Sequence, residues 1–215
     1  MKELKVKVTF LETSLGTASG NKDIHKDYIA AKAPNAKSKE EEIEAIGIEE
    51  YEEKQMTVFP RTDDGGPMFW DYQIKGFFKD CCGALQRCKG EDVAKESCKI
   101  KAYKKIIDGC IFVTPRKIPI DMHGGEMGIL QRPLRASTAK GERIALATSE
   151  TVPAGSTIEF SVLCLSDAYE AAVIEWLDYG LWRGLSQWRN AGYGRFTYEL
   201  LEVNDLTTKD LKKVN

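Results

Sequence analysis

The stretch Gly180–Phe196, "GLWRGLSQWRNAGYGRF", lies between two well-patterned elements near the C-terminal end of the chain. It holds four glycines, three arginines, two tryptophans and a tyrosine, and it has no acidic side chain. Before it, Ala168–Leu181 has apolar residues at the spacing of an amphipathic helix. After it, "RFTYELLEV" is typical of a strand. The sequence therefore predicts a helix, a glycine-rich loop and a strand in that order.

Towards the N-terminus the pattern predicts further strands and a second core helix. Glu3–Leu11 alternates apolar and polar residues, which indicates a half-buried strand. Tyr72–Cys88 has apolar residues at helical spacing, and its two glycines predict the close approach of another backbone. With the insertions removed, the order is β-α-β-β-α-β. This order predicts an α+β, ferredoxin-like (RRM-like) fold, with an antiparallel sheet and helices on one face.

Two insertions and a tail complete the predicted organisation. We expect a single domain over residues 1–203 and a flexible tail over residues 204–215. A helical acidic insert occupies approximately residues 21–55. A thumb-like β-hairpin occupies approximately residues 108–138, where "CIFVTPRKIPID" and "ILQRPLRAST" flank the flexible tip "HGGEMG".

Composition indicates an ordinary globular protein with no membrane partner. The chain has 215 residues, of which 42% are hydrophobic and 30% charged. No apolar run reaches the ~18–20 residues of a membrane span. The first residues alternate charged and apolar side chains, unlike a signal peptide. We therefore expect a cytoplasmic protein.

The cysteines and histidines do not predict a metal site. The six cysteines include no CxxC pair, and the only histidines are His25 and His123. A structural zinc ion needs four converging ligands. Small buried thiols in a reducing cytosol explain the cysteines better. We expect no metal and no cofactor.

The net charge of −2 conceals a segregation of charge. Ser38–Gln55 holds eight acids and two lysines, whereas Lys101–Arg143 holds nine lysines and arginines against four acids. Within the basic region, "QRPLRASTAKGER" places Arg132, Arg135 and Arg143 where they could follow a phosphate backbone. A solvated strand and turn is the alternative interpretation.

The glycine-rich loop has the chemistry of a single-stranded nucleic-acid site. Glycines let a ligand approach the backbone, and successive N–H groups of such a turn attract anions. Arginines suit phosphate, and exposed aromatic rings suit unstacked bases. The alternative is structural, because one or two of the tryptophans could simply fix the loop to the core. The loop residues assigned to nucleic acid are Arg183, Gly184, Trp188, Arg189, Gly192, Tyr193, Gly194 and Arg195.

These motifs resemble those of the RAMP superfamily, the CRISPR-associated RNA-binding proteins. "SETVPAGSTIEFSVLCL", with Pro153, Ala154 and Gly155, is similar to their "PAG" strand, and Gly184 to Arg195 is similar to their glycine-rich loop ending in G-x-G-R/K. "LGTASG" resembles the loop after strand one in the backbone subunits of CRISPR effector complexes. "YQIKGFFKDCCGAL" resembles the start of a helix in those subunits. There Lys75 and Gly76 match, and Lys75 joins the expected nucleic-acid residues.

The resemblance implies a ferredoxin-like fold that binds single-stranded RNA along the glycine loop and the sheet. It also implies assembly of copies into filaments. The acidic insert and the thumb-like segment do not match the family pattern. The chain also resembles uncharacterised proteins carried by bacteriophages, which leaves a stand-alone role open.

Catalysis is a weaker alternative. Some RAMP proteins cleave RNA, and "NKDIHKDY" places Asp23, His25 and Asp27 near a location that such enzymes use. His25 could remove a 2′-hydroxyl proton, and either aspartate could hold a divalent metal. The two aspartates also fit one solvated helix face. The sequence has no Ser-His-Asp order, Walker loop or GxGxxG after a strand, so nucleotide hydrolysis and hydride transfer have no support.

The leading hypothesis is a non-catalytic protein that binds single-stranded nucleic acid, RNA before DNA, with head-to-tail assembly into a homo-oligomer as an option. One alternative is a phage-borne decoy that binds a host defence protein, a host protein complex or a signalling nucleotide. Its best feature is the acidic insert. The other alternative is an endoribonuclease that depends on a metal or on His25.

Overall fold

The computed structural model describes residues 1–19, 56–88, 94–138 and 141–207. This part of the chain is a mixed α+β structure with four α-helices and mainly antiparallel sheets. It divides into two compact units. The larger unit comprises Met1–Ser14, Pro60–Glu126 and Val152–Asn215, and the smaller comprises Leu15–Phe59 and Met127–Thr151. The single domain expected over residues 1–203 stays a prediction.

The described strands and helices alternate in short groups along the chain. In order they are β1 (Lys2–Phe10), β2 (Ser14–Leu15), β3 (Ala18–Ser19), β4 (Thr57–Val58), β5 (Met68–Trp70), α1 (Asp71–Cys88), α2 (Lys95–Lys99), α3 (Tyr103–Cys110), β6 (Ile111–Thr114), β7 (Lys117–Asp121), β8 (Gly128–Thr138), β9 (Gly141–Val152), β10 (Thr157–Cys164), α4 (Glu170–Asp178) and β11 (Phe196–Asp205).

The main sheet belongs to the larger unit. Its strand order is β11-β1-β10-β7-β5, and β6 also pairs with β10. The long pairings of β1 with β10 and β11 are antiparallel. The alternation predicted for β1 is confirmed, because every second residue from Leu4 to Phe10 is buried while the residues between them are partly exposed. This pleat gives the sheet one apolar face and one charged face.

Helix α1 covers the apolar face, as its periodicity predicts. Its buried side chains include Phe77 and Phe78, whose rings contact Phe196 of β11 and Trp176 of α4 respectively. The two glycines of α1 differ from expectation. A Cβ at Gly83 would meet the Tyr103 hydroxyl at 2.6 Å, and a Cβ at Gly76 would meet none of the described atoms within 4 Å. A side chain, not another backbone, therefore approaches Gly83.

The hairpin expected near residues 108–138 is formed by different strands. β8 pairs antiparallel with the strand that follows it, β9, from Gly128 opposite Thr151 to Thr138 opposite Gly141. The preceding strands β6 and β7 pair with β10 in the main sheet instead. Burial explains the difference, because Ile118 and Ile120 alternate with exposed residues and a projecting hairpin would leave them in water.

β8 and β9 belong to the sheet of the smaller unit. Its strand order is β2-β9-β4-β3, with β8 on β9, and the short β4–β9 contact is parallel. The predicted tail begins later than expected. Asn204 and Asp205 lie in β11, where they are opposite Glu3 and Lys2 of β1.

The predicted acidic insert, residues 21–55, lies outside the described part of the chain. None of the described helices is long and apolar enough to cross a membrane. All six cysteines are free thiols, of which Cys81, Cys82 and Cys164 are buried. The expectation of buried thiols is therefore correct for these three, whereas Cys88 and Cys98 are exposed.

Candidate nucleic-acid interface

The glycine-rich loop follows α4 and folds back on itself. It includes the 3-10 turns Tyr179–Leu181 and Arg189–Ala191. The Leu185 N–H donates to the carbonyl of Gly194 at 2.9 Å, which ties the two ends of the loop together. The Gly194 N–H donates to the carbonyl of Thr13 at 2.9 Å. The loop is therefore fixed both to itself and to the segment after β1.

Two of the glycines are required by the loop's own backbone. A Cβ at Gly184 would lie 2.0 Å from the carbonyl oxygen of Tyr193, and one at Gly194 would lie 2.0 Å from that of Leu185. The sequence pattern predicted close approach and assigned it to a ligand. The structure explains the approach at these two positions by contact between loop segments. Gly192 differs, because a Cβ there would come no closer than 3.7 Å to the described atoms around it, and its φ of +86° is what favours glycine.

Asp80 of α1 holds two of the three loop arginines. Arg183 donates from Nε to Asp80 Oδ2 at 2.8 Å, and Arg189 donates from Nη1 to the same oxygen at 2.9 Å. Arg183 also donates from Nη1 to Asn190 at 2.8 Å. The Asp80 hydrogen bond is the main reason that the pKa of Arg183 is raised. Every side-chain nitrogen of Arg183 has a protein partner, whereas within the described part of the chain Arg189 donates from Nη1 alone, to Asp80.

Arg195 makes a separate ion pair. Its Nη2 donates to Oε1 of Glu12 at 2.8 Å. Glu12 follows β1, so this contact joins residues 183 positions apart in the chain. Among the residues that the structure describes, the three loop arginines pair with two carboxylates, Asp80 and Glu12, which leaves an excess of one positive charge in this group. The arginines are therefore held in fixed places and are only partly neutralised.

The aromatic residues of the loop form a platform. The rings of Trp188 and Tyr193 are stacked with centroids 5.1 Å apart and planes 8° apart. The Trp188 side chain is 37% exposed and its backbone has a φ of +53°. Trp188 also directly precedes Arg189. We call Trp188, Tyr193 and Arg189 the loop platform.

Trp182 lies away from this stack. It is 71% exposed and borders a groove with residues of α1 and α4, including Leu85 and Ile174. Trp176 is fully buried, where its indole N–H donates to Ser97. Trp176 lies in α4 before the loop, and this hydrogen bond fixes α4 to α2.

The remaining predicted nucleic-acid residues are on other elements of the chain. Lys75 donates to the carbonyl of Asp108 at 3.1 Å and lies 5.0 Å from the centroid of the Phe112 ring, and burial lowers its pKa. Arg132 is on β8 of the smaller unit. Arg135 and Arg143 are on β8 and β9, in a part of the hairpin where side chains are not described.

The candidate catalytic residues Asp23, His25 and Asp27 lie outside the described residues, and their role stays a prediction. Among the residues that are described, no three histidine, cysteine or acidic side chains come together in a way that could hold a metal ion.

Sequence reasoning did not find Asp80 and Glu12. Asp80 interrupts the apolar pattern of "FFKDCC", which marks it as a polar position but not as the partner of any arginine. Both residues are more than 100 positions from the arginines that they hold. No local signal identifies such a pair.

Comparison with known proteins finds similar chains among solved structures. No model of a known protein family matches the chain, and no curated protein matches it. One similar solved structure is a chain of the cryo-EM structure of the Type III-B Cmr-beta bound to cognate target RNA. It has 13% identity and a TM-score of 0.48, covering 94% of this chain and 60% of that one.

Another similar structure is a chain of a Type IV-B CRISPR complex, with 12% identity and a TM-score of 0.46, covering 99% of this chain and 98% of that one. This chain thus spans less than two thirds of the Cmr-beta chain and nearly all of the Type IV-B chain. Both TM-scores lie below 0.5, so neither similarity identifies a family or an activity. They also give no support to a bacteriophage origin.

Proposed function

We propose that this chain is a non-catalytic, single-stranded nucleic-acid-binding protein of RAMP-like fold, and that RNA is its natural ligand. The observation that carries the proposal is the loop platform: two parallel aromatic rings, one of them on the residue directly before Arg189, whose side chain has one hydrogen-bond partner, Asp80, among the described residues. Aromatic faces stack on bases of any sequence, and arginine binds phosphate through paired N–H groups. A single strand offers unstacked bases and phosphates together.

The three arginines have different roles in this proposal. Arg189 binds phosphate, because one of its nitrogens is fixed on Asp80 and its other side-chain nitrogens have no partner among the described residues. Arg183 supports the loop, because all its nitrogens are engaged with Asp80 and Asn190. Arg195 contributes less to phosphate binding, because its ion pair with Glu12 largely neutralises its charge. A fixed guanidinium loses less conformational entropy on binding than a mobile one.

The topology of the main sheet supports a ferredoxin-like fold. If β1, β7, β10 and β11 are the four strands of a β-α-β-β-α-β unit, their order across the sheet is fourth, first, third, second. Helices α1 and α4 then occupy the two helical positions of that unit. This arrangement places the glycine loop before the last strand.

We propose that binding uses the loop more than the open face of the sheet. On that face Lys5 pairs with Glu202 at 3.7 Å and Lys7 pairs with Glu159 at 3.3 Å. Lysines that are already paired with carboxylates attract phosphate weakly, because the neighbouring negative charge opposes it. This part of the proposal narrows the surface that the RAMP resemblance implies.

The test is the affinity for labelled 20-nucleotide RNA and DNA strands of one sequence, measured by fluorescence anisotropy across a salt series. We expect binding that weakens as salt rises, with RNA bound more tightly than DNA. Arg189→Ala should weaken binding about 10-fold, as the loss of a charge-assisted hydrogen bond predicts, and flatten the salt dependence. Trp188→Ala should weaken binding by about 5-fold or more without changing the salt dependence.

Lys101→Ala is the matched control for the loss of one exposed positive charge outside the loop. It should leave the affinity near that of the wild type. Equal affinities for wild type, Arg189→Ala and Trp188→Ala would remove the loop platform from the proposed function. A wild-type chain that binds neither strand at low salt would refute the function itself.

A further inference from the structure

A second cluster of aromatic and basic side chains lies on the larger unit, outside the glycine-rich loop. The rings of Trp70 and Tyr72 are nearly parallel, with centroids 6.3 Å apart and planes 13° apart. The guanidinium carbon of Arg116 lies 5.7 Å from the centroid of the Trp70 ring. We call Trp70, Tyr72 and Arg116 the second platform. It has the same chemical composition as the loop platform, which is two aromatic rings and an arginine.

Much of the second platform is available to a ligand. Tyr72 is 59% exposed although it follows a core strand and lies in the first turn of α1. Arg116 is exposed, and within the described part of the chain its guanidinium contacts the Trp70 ring and no carboxylate. The loop arginines Arg183, Arg189 and Arg195 all have carboxylate partners. Arg116 therefore keeps donors that a phosphate could use.

Regular elements hold the second platform in place. Trp70 is in β5 opposite Lys117 of β7. The backbone N–H of Trp70 donates to Oε1 of Gln73 at 2.7 Å. The N–H of Asp71 donates to the carbonyl of Arg116 at 3.0 Å. These bonds fix the backbones that carry all three platform residues. A site on strands and helices needs less ordering on binding than a mobile loop does.

The surrounding charges leave Arg116 as the main phosphate contact. Lys117 pairs with Asp63 at 2.6 Å, so its charge is largely neutralised. Asp71 lies beside the platform at the start of α1 and would oppose an anion nearby. A phosphate must therefore approach from the Arg116 side, while Tyr72 offers a ring face to a base.

We propose that Trp70, Tyr72 and Arg116 form a second contact site for single-stranded nucleic acid. One base stacks on the Tyr72 ring, and the adjacent phosphate is bound by Arg116. This inference rests on the proposed function, because it adds a second point of contact for the same class of ligand. Aromatic stacking accepts any base, so the site adds affinity and not sequence preference.

The test uses the full chain and a 20-nucleotide single-stranded RNA that carries 4-thiouridine. Affinity is measured for Tyr72→Ala, Arg116→Ala and Arg116→Lys. We expect Tyr72→Ala to weaken binding about 5-fold or more through the loss of stacking. Arg116→Ala should also weaken binding and lower the salt dependence, and Arg116→Lys should recover only part of the affinity because lysine lacks the planar fork. Photo-crosslinking followed by mass spectrometry should join RNA to a peptide that contains Tyr72.

Trp182→Ala and Lys101→Ala are the controls, since they remove an exposed tryptophan and an exposed cation outside both platforms. Thermal unfolding of each variant checks the fold, and the high exposure of Tyr72 predicts an unchanged Tm. If Tyr72→Ala and Arg116→Ala bind like the wild type and crosslinks occur only within residues 180–196, the second platform is refuted and the loop proposal stands. If these variants bind weakly while Arg189→Ala binds normally, the loop proposal fails and the second platform stands. A wild type that binds no RNA refutes both.

Discussion

Asp80 is the residue on which the geometry of the loop arginines depends. Its Oδ2 accepts hydrogen bonds from both Arg183 and Arg189. Simple charge counting predicts that removing this carboxylate would strengthen the binding of a polyanion. Positioning predicts the opposite, because both guanidiniums would lose the group that fixes them. The two effects have opposite signs, so one substitution separates them.

We expect Asp80→Asn to weaken RNA binding about 3-fold or more, because the ordering of a long side chain costs roughly 0.5–1.5 kcal/mol on binding. The measurement is anisotropy with the 20-nucleotide strand at fixed salt. Asp108→Asn is the matched control, since Asp108 also pairs with a cation of α1, Lys79, but not with the loop. Tighter binding by Asp80→Asn than by the wild type would show that Asp80 acts only as a nearby negative charge.

Gly184 and Gly76 make a contrasting pair of glycines. A Cβ at Gly184 would lie 2.0 Å from the Tyr193 oxygen and 2.6 Å from the Gly194 carbonyl carbon, so backbone would have to move. We expect Gly184→Ala to lower the free energy of unfolding by about 1–3 kcal/mol. Gly76→Ala, in open space within α1, should raise it by roughly 0.5–1 kcal/mol. Urea denaturation measures both, and equal stabilities would contradict the packing described for the loop.

At the scale of elements, the start of the short helix α2 is held by a carboxylate from α4. Glu175 accepts hydrogen bonds from the N–H of Glu96 at 2.9 Å and from the N–H of Ser97 at 2.8 Å. It also accepts the Ser97 hydroxyl. The residue before α2, Ala94, has no side chain that could cap the helix. Glu175 therefore supplies from another helix the cap that the local sequence lacks.

We expect Glu175→Gln to lower the free energy of unfolding by about 1–2 kcal/mol, because an amide nitrogen would face donors that need an acceptor. Hydrogen exchange should quicken at the amides of Glu96 and Ser97. Glu170→Gln is the control, since Glu170 is also on α4 and its described ion pair is a long one with Lys2 at 3.9 Å. Unchanged exchange at α2 would mean that Glu175 is not its cap.

At the scale of the whole molecule, buried thiols make the fold sensitive to alkaline pH. Burial raises the pKa of Cys82 to about 11 and that of Cys164 to about 12, from an ordinary value of 9.0. Burial also raises the pKa of Cys81 well above that value. A raised pKa means that the folded state keeps the proton where the unfolded state loses it. The stability from these thiols is therefore complete below pH 9 and is lost as the pH rises towards 12.

We expect Tm to fall as the pH rises from 9 to 12, and the fall should be smaller in Cys164→Ala because one buried thiol is absent. Calorimetry at fixed ionic strength measures both profiles. Cys88→Ser changes an exposed thiol and should keep the wild-type profile. A Cys164→Ala profile parallel to that of the wild type would exclude this thiol as a cause.

Local pattern was sufficient for several elements of the fold. The alternation of β1 and the helical spacing of α1 predicted both elements to within about a residue or two, because burial of one face imposes a period on the sequence. Periodicity did not predict which strands pair with one another. On sequence grounds β8 could pair with the strand before it, β7, or the strand after it, β9. It pairs with β9, because β7 lies in the main sheet, where Ile118 and Ile120 are buried.

The sequence by itself determined where the glycine-rich loop lies and which arginines and aromatic rings it carries, because composition and flanking periodicity are local properties. Only the tertiary structure decided what those residues touch. It brought Asp80 and Glu12 to the arginines, stacked Trp188 on Tyr193, and used Gly184 and Gly194 for contacts within the loop. The physical reason is that ion pairs and ring contacts depend on distance in space. Residues 100 or more positions apart leave no shared period or spacing that a sequence could display.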